Sequence, residues 1–320
     1  MSLRRTLWTG ALLGAGLLLA GGAADAATTA TPLVTGTAHQ ALFAISTFGN
    51  AGVAVGAAGA ILESGDAGKT WKAVAPAPTP LSLLGVSVRQ GHAVAVGQVG
   101  TILVMDDSGK WVKADAGTTN RLFGVSINAG GEAVAVGAFG TVLHSADGGK
   151  TWASIAPDWN GYAENGEQPH LYDVDIDDKG VITLCGEFGL ILRSADGGKS
   201  WKTLHKGDAS LFAMELSANG AGYAVGQNGA VLRSTDHGAS WSDVKAGTGA
   251  ILLGVHSTAD GKVVISGMHD MLYSRDAGQS WIHLSNEEIN TTWYQGTAGG
   301  DGGQPLLAVG HAGQIIRIAD

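Results

Sequence analysis

A glycine that closes a short apolar run recurs down this chain at Gly56, Gly97, Gly137, Gly186, Gly226, Gly267 and Gly310. The successive spacings are 41, 40, 49, 40, 41 and 43 residues. Within each unit, apolar residues alternate with small ones or run five or six long between glycines, as strands of a buried sheet do. No unit shows the 3.6-residue period of a helix. A repeat of about 40 residues made of strands alone is the signature of propeller blades. The chain is therefore expected to be all-β, a seven-bladed β-propeller of four-stranded antiparallel blades.

Each unit divides the same way. The first strand is the innermost candidate: Leu42-Phe-Ala-Ile, Leu83-Leu-Gly-Val, Leu122-Phe-Gly-Val, Leu171-Tyr-Asp-Val, Leu211-Phe-Ala-Met, Leu252-Leu-Gly-Val and, in the seventh unit, Trp293-Tyr-Gln-Gly. A small third residue suits strands that converge on a narrow axis. An Ala-Val-Ala-Val-Gly run follows, then a two-residue tip and a glycine, as in Ala138-Phe139-Gly140, which suits a β-hairpin. The third strand reads Ile/Val-Leu-x-Ser. It ends in an acidic turn, S-x-D-x-G-x-[ST]-W, with Asp66 and Trp71, Asp147 and Trp152, Asp196 and Trp201, Asp236 and Trp241, and Asp276 and Trp281. In the second unit Asp106 and Trp111 survive in a shortened turn. The aspartate can accept backbone N–H bonds within the turn, and the tryptophan can pack between blades. One carboxylate per turn is too few for calcium, which takes six to eight oxygens.

The seventh unit stops after Ile315-Ile-Arg-Ile, without an outer strand, whereas Thr31-Pro-Leu-Val-Thr is surplus ahead of the first inner strand. The N-terminal segment is expected to supply the missing strand and close the ring, which removes two free sheet edges. Ahead of it, Arg4 and Arg5, the apolar run Leu7 to Ala20 and Ala24-Asp25-Ala26 have the pattern of a cleaved signal peptide over residues 1–26. Residues 27–320 would then form one propeller domain, exported, most simply to a periplasm, with no membrane insertion after cleavage. Cleavage takes the 19 basic and 28 acidic residues to 17 and 27, a net charge of −10. That balance argues against nucleic acid as a partner. Cys185 is the single cysteine and lies in an apolar run, where a buried small hydrophobe is expected.

The repeated S-x-D-x-G-x-[ST]-W turn resembles the Asp-box, or BNR, repeat. With A-V-G-x-x-G-x-[IV]-L ahead of each box, seven units and a leader, the chain looks like the photosystem II stability/assembly-factor family. The resemblance covers nearly all of residues 27–320 and implies a non-enzymatic propeller that assists assembly of a membrane-protein complex. It also implies basic residues on one side of the ring. Arg193, Arg233 and Arg317 share one third-strand position here, but Glu63, Val104, His144 and Tyr273 hold it in the other blades. Asp boxes also occur in sialidases and other glycoside hydrolases, so a glycosidase or carbohydrate-binding propeller is the alternative. A glycosidase needs two carboxylates facing across a sugar. Glu164, Glu167, Glu187 and Asp270 are possible members, but nothing in the sequence pairs them.

Topology indicates where binding residues would sit. In a four-stranded meander, the tip after strand two and the connection after strand four share one face, and the acidic turns lie on the other. Variable loops on the first face are the candidates. An insertion, Pro157 to His170, accounts for the spacing of 49 and carries Trp159 and Tyr162. The connection Asn286 to Gln304 carries Trp293 and the glycine-rich 298–303 stretch. The tips carry Phe139, Glu187, Phe188, Gln227, Asn228, His269, Asp270 and His311. Exposed aromatics beside polar groups are what protein and sugar sites use. The ten histidines show no zinc spacing, and no serine-nucleophile elbow, P-loop or dinucleotide fingerprint is present. No catalytic residue, metal or cofactor is therefore expected, and the partner is expected to be a protein.

Overall fold

The computed structural model describes residues 28–37, 39–160, 162 and 167–319. The leader expected at 1–26, with Glu164, lies outside the described residues. Seven four-stranded antiparallel sheets stand around one axis. The third blade shows the plan: inner strand Leu122–Ile127, then Ala133–Gly137, Val142–Ser145 and a two-residue outer strand Ala153–Ser154. The second strand is buried at all five positions because blades cover both of its faces, which is why it reads as a continuous apolar run. The inner strands of the other blades are Leu42–Phe48, Leu83–Arg89, Leu171–Ile176, Leu211–Leu216, Leu252–Ser257 and Tyr294–Gly299.

The ring closes as expected. Thr29–Val34 pairs antiparallel with Ile315–Ala319 and becomes the outer strand of the seventh blade. Pro32 sits there on an edge strand, where a missing N–H costs no ladder bond on the open side.

The recurring central glycine has a steric cause. Its φ is extended, so conformational freedom is not the reason. A Cβ on Gly137 would lie 2.2 Å from the carbonyl oxygen of Arg121, and Gly56, Gly97, Gly186, Gly226, Gly267 and Gly310 meet the matching carbonyl at 1.9–2.5 Å. That carbonyl accepts the N–H of the residue after the glycine, as from Ala138 to Arg121 at 2.9 Å. The glycine is what lets the tip and the entry to the inner strand lie against one another.

The acidic turns are closed hydrogen-bond units on the opposite face. Asp147 accepts from Ser145 Oγ at 2.8 Å, Thr151 N at 2.9 Å and Thr151 Oγ1 at 2.6 Å. Ser145 Oγ accepts from Gly149 N at 2.9 Å, and Trp152 Nε1 donates to the Gly149 carbonyl at 2.7 Å. Asp66, Asp196, Asp236 and Asp276 repeat the carboxylate bonds, and Trp71, Trp201 and Trp241 the indole bond. Bonds from the Thr or Ser hydroxyl, then the backbone, hold all five carboxyls down to about 2. In the second blade, Asp106 is lowered by Ser108, and Trp111 Nε1 donates to Glu63 of the first blade at 2.8 Å. Trp71, Trp152, Trp201, Trp241 and Trp281 each pack against an apolar cluster shared with the preceding blade.

Three sequence expectations need correction. The seventh inner strand begins at Tyr294, not Trp293, because Tyr294 is the residue that pairs with Gly310 as Leu42 pairs with Gly56. Trp293 sits one place ahead, in an isolated bridge to Met268. The connection between blades six and seven also carries a short helix, Glu287–Thr291, started by Asn286 Oδ1 accepting from Ile289 N at 2.7 Å. The glycine-rich 298–303 stretch is the turn between the first two strands of blade seven, so it lies on the acidic-turn face. There Gln304 Nε2 donates to the Gly49 carbonyl at 2.7 Å.

Candidate functional site

The tips are tight. Each runs three residues from the central glycine, and the middle residue is left-handed: Phe139 has φ 54°, Phe188 58°, Asn228 57° and His269 60°. A left-handed residue at a hairpin tip projects its side chain away from the sheet. Phe139 is accordingly 61% exposed and Phe188 48%. Asn228 and His269 are exposed as well.

The first tip residues behave differently. Glu187 Oε2 accepts the His170 N–H at 2.8 Å, Gln227 Oε1 the Ser210 N–H at 3.1 Å and Gln98 Oε1 the Ser82 N–H at 3.1 Å. These half-buried side chains pin the tip to the entry of their own inner strand, so Glu187 and Gln227 are structural pins rather than free binding groups. Asp270 is bound to His283 Nδ1 at 3.0 Å, and His311 lies edge-on to Trp293 at 6.3 Å.

Trp159, which the sequence allows either as a binding residue or as an anchor of its own loop, is the anchor, only 6% exposed. Its ring fills the inter-blade cluster of Val134, Val136 and Leu171, and its Nε1 donates to the Gly140 carbonyl at 3.1 Å. Burying so large an apolar surface outweighs leaving it free for a partner. Tyr162 rests on it at 5.4 Å, with Lys206 over its ring. The described part of the insertion is therefore packed onto its own blades. The three arginines do not form a surface patch either. Arg193 reaches into the next blade's acidic turn at the His237 carbonyl, Arg233 is half-buried beside Tyr223, and Arg317 is exposed two blades away.

What the sequence reading missed is a ring at the channel mouth. Every inner strand bulges after its first residue. A bulge leaves one residue unpaired and re-aims it. The re-aimed residues Phe43, Leu84, Phe123, Tyr172, Phe212, Leu253 and Gln295, one per blade, line the mouth beside Arg121. The signal was present as a large second residue in six of seven inner strands.

Aromatic rings concentrate on one side of this mouth. Phe139 meets His170 at 5.1 Å, His170 meets Phe123 at 6.2 Å, Phe123 meets Tyr172 at 5.4 Å and Tyr172 meets Phe212 at 5.0 Å. Phe139 N donates to His170 Nδ1 at 3.1 Å, which fixes that imidazole as the link. Desolvation, with the Glu187 carboxylate beside it, pushes the Tyr172 hydroxyl up to about 12, so it stays a neutral donor. Across the mouth, Trp293 stacks on Phe43 at 6.0 Å.

Fold and site together define a seven-bladed propeller with a one-sided aromatic face. A model of the Sortilin-Vps10 family, described as sortilin, neurotensin receptor 3, matches residues 189–312, less than half of the chain. No curated protein sequence matches. The chain is similar in structure to YCF48 bound to a D1 peptide, with a TM-score of 0.70 at 16% identity over 92% of this chain and 95% of that one. YCF48 from Cyanidioschyzon merolae gives 0.70 at 20% identity, over 91% and 98%. A GH74 xyloglucanase from Xanthomonas campestris gives 0.70 at 14% identity, over 91% of this chain but 53% of that one. At these identities the likeness is one of fold.

Proposed function

We propose that this chain is a non-enzymatic scaffold that binds a protein partner through the aromatic face of blades three to five. The observation that carries the reading is the run Phe139, His170, Phe123, Tyr172 and Phe212, with Phe188 and Phe139 standing free at the rim. Rigid aromatics around a recess, ringed by polar residues, are the usual composition of interface hot spots. YCF48, solved with a D1 peptide bound, supports peptide recognition as a use to which this fold is put. The leader at 1–26 and the family resemblance point further, to a periplasmic partner belonging to a membrane-protein complex.

The test is capture from detergent-solubilised membranes with the wild-type chain and the double variant Phe139→Ser, Phe188→Ser. Both side chains are exposed, so stability should change by no more than about 0.5 kcal/mol each. A specific membrane protein retained by wild type and lost by the variant is the expected result. Equal retention by both would remove this face from consideration. The enzymatic alternative has the GH74 likeness behind it. Turnover of a chromogenic glycoside that disappears in Glu187→Gln or Asp270→Asn would replace the scaffold reading.

A further inference from the structure

Beneath the aromatic mouth lies a channel of about 360 Å³ along the propeller axis. Its wall departs from the sevenfold repeat on one side only. At the third inner-strand position six blades carry Ala44, Gly85, Gly124, Ala213, Gly254 and Gly296, and the fourth blade carries Asp173. Two residues further along, blades one to three carry Ser46, Ser87 and Ser126. Each hydroxyl accepts an N–H of the next inner strand, from Val88 at 3.0 Å, Ile127 at 3.1 Å and Ile176 at 3.2 Å. Blades four to six carry Asp175, Glu215 and His256 at that position.

Most of this charge is accounted for. Glu215 accepts the Ser257 N–H at 2.8 Å and faces His256 Nδ1 at 3.1 Å, while His256 Nε2 donates to the Gly299 carbonyl at 2.6 Å. Arg89, at the far end, pairs with Asp178 at 2.8 Å. Asp173 accepts the N–H groups of Val174 and Met214, both at 2.9 Å. Asp175 lines the channel with no hydrogen bond to a described residue, and the cation that acts on its carboxylate, Arg89, is itself paired with Asp178. Where its neighbours use a serine to stitch blades together, it stitches nothing.

We propose that the channel is a binding well for an alkylammonium group, seated between Asp173 and Asp175 of the fourth blade. The two carboxylates are two residues apart on one strand, so Asp175 lies about 7 Å deeper than Asp173. An ammonium group on a four- or five-carbon stem spans that depth, with its methylenes against the mouth ring and its charge on the acids. Phe43, Phe123, Tyr172 and Phe212 line the mouth with aromatic rings, to which a cation is attracted on entry. A neutral ligand would leave the acids uncompensated. A divalent metal has too few ligands, because no group of three His, Cys, Asp or Glu suited to a metal occurs among the described residues. The Asp173 and Asp175 carboxyls are pushed up to about 7, by burial first and then by neighbouring acids, and a bound cation would relieve this cost.

The inference does not depend on the partner reading, because the channel is tested with a small molecule. Calorimetry with 1,5-diaminopentane at pH 8 is expected to show saturable binding, with 1,5-pentanediol as the neutral control showing none. Asp175→Ser installs the residue that blades one to three carry, so it should fold at least as well as wild type while losing affinity at least tenfold. Lowering the pH to 5 should also weaken binding at least tenfold, because Asp173 and Asp175 take up protons. The other charged groups facing the pair are Asp177, Glu215, which is held against His256, and Arg89, which is held by Asp178. A hexapeptide with one lysine, and its acetylated form, identify the source. Tighter binding of the unmodified peptide than of the diamine assigns the well to a protein side chain, and the reverse assigns it to a free diamine. Equal affinity of wild type and a folded Asp175→Ser, equal affinity for the diol, or no saturable diamine binding would overturn the proposal.

Discussion

At the scale of single residues, the same amino acid does different work according to what its neighbours leave room for. Gly137 and Gly65 are both ordinary in φ. A Cβ at Gly137 would collide with the Arg121 carbonyl, whereas one at Gly65 meets nothing within 4 Å. Gly137→Ala should therefore cost about 3 kcal/mol, the upper range for forcing atoms into a packed site, measured by denaturant unfolding. Gly65→Ala should stay within about 0.5 kcal/mol, because that turn position already accepts Ala146 and Ala195 in other blades. The same contrast separates Phe139 from Trp159. Both were legible as loop aromatics, but the left-handed tip turns one outward, and the other finds the Gly140 carbonyl and a hydrophobic cluster.

Among elements, the closing strand is the most consequential. Thr29–Val34 covers the open edge of Ile315–Ala319, the last strand of the chain. A variant lacking residues 28–36 should melt at lower temperature and self-associate with concentration, because an uncovered edge is a template for pairing. Light scattering coupled to gel filtration would detect this, and an unchanged monomer with an unchanged melt would show that the strand is dispensable. This pairing was legible from arithmetic alone: one unit lacked a strand and the other end had a spare segment. The register of the seventh inner strand was not, since Trp293 and Tyr294 are both large aromatics and only the ladder to Gly310 separates them.

For the whole molecule, opposing carboxyl populations predict an unusual pH profile. The five turn aspartates titrate near 2, below their ordinary value, so their contribution is complete above about 4 and is lost as pH falls towards 2. Asp173 and Asp175 are raised to about 7, so their contribution is complete below about 4 and is lost as pH rises through 7. His256 is also raised, burial opposing and Glu215 prevailing, and acts in the same direction as the channel pair. Thermal melts should therefore rise from pH 8 to about pH 4 and fall below it. Asp175→Ser should flatten the upper arm and leave the acid arm unchanged.

The sequence by itself determined the blade count, the strand order, the acidic-turn scaffold and the closure of the ring. Each of these follows from local periodicity and turn chemistry repeated seven times, and a repeat reports what its copies have in common. The site is built from what they do not share. The gathering of Phe123, Tyr172 and Phe212 at the mouth, the burial of Trp159 and the placing of Asp173 and Asp175 beside Glu215, His256 and Arg89 in one channel depend on contacts between blades about 40 residues apart. Only the tertiary structure decided these, because convergence on a common axis makes neighbours of residues that no local rule relates.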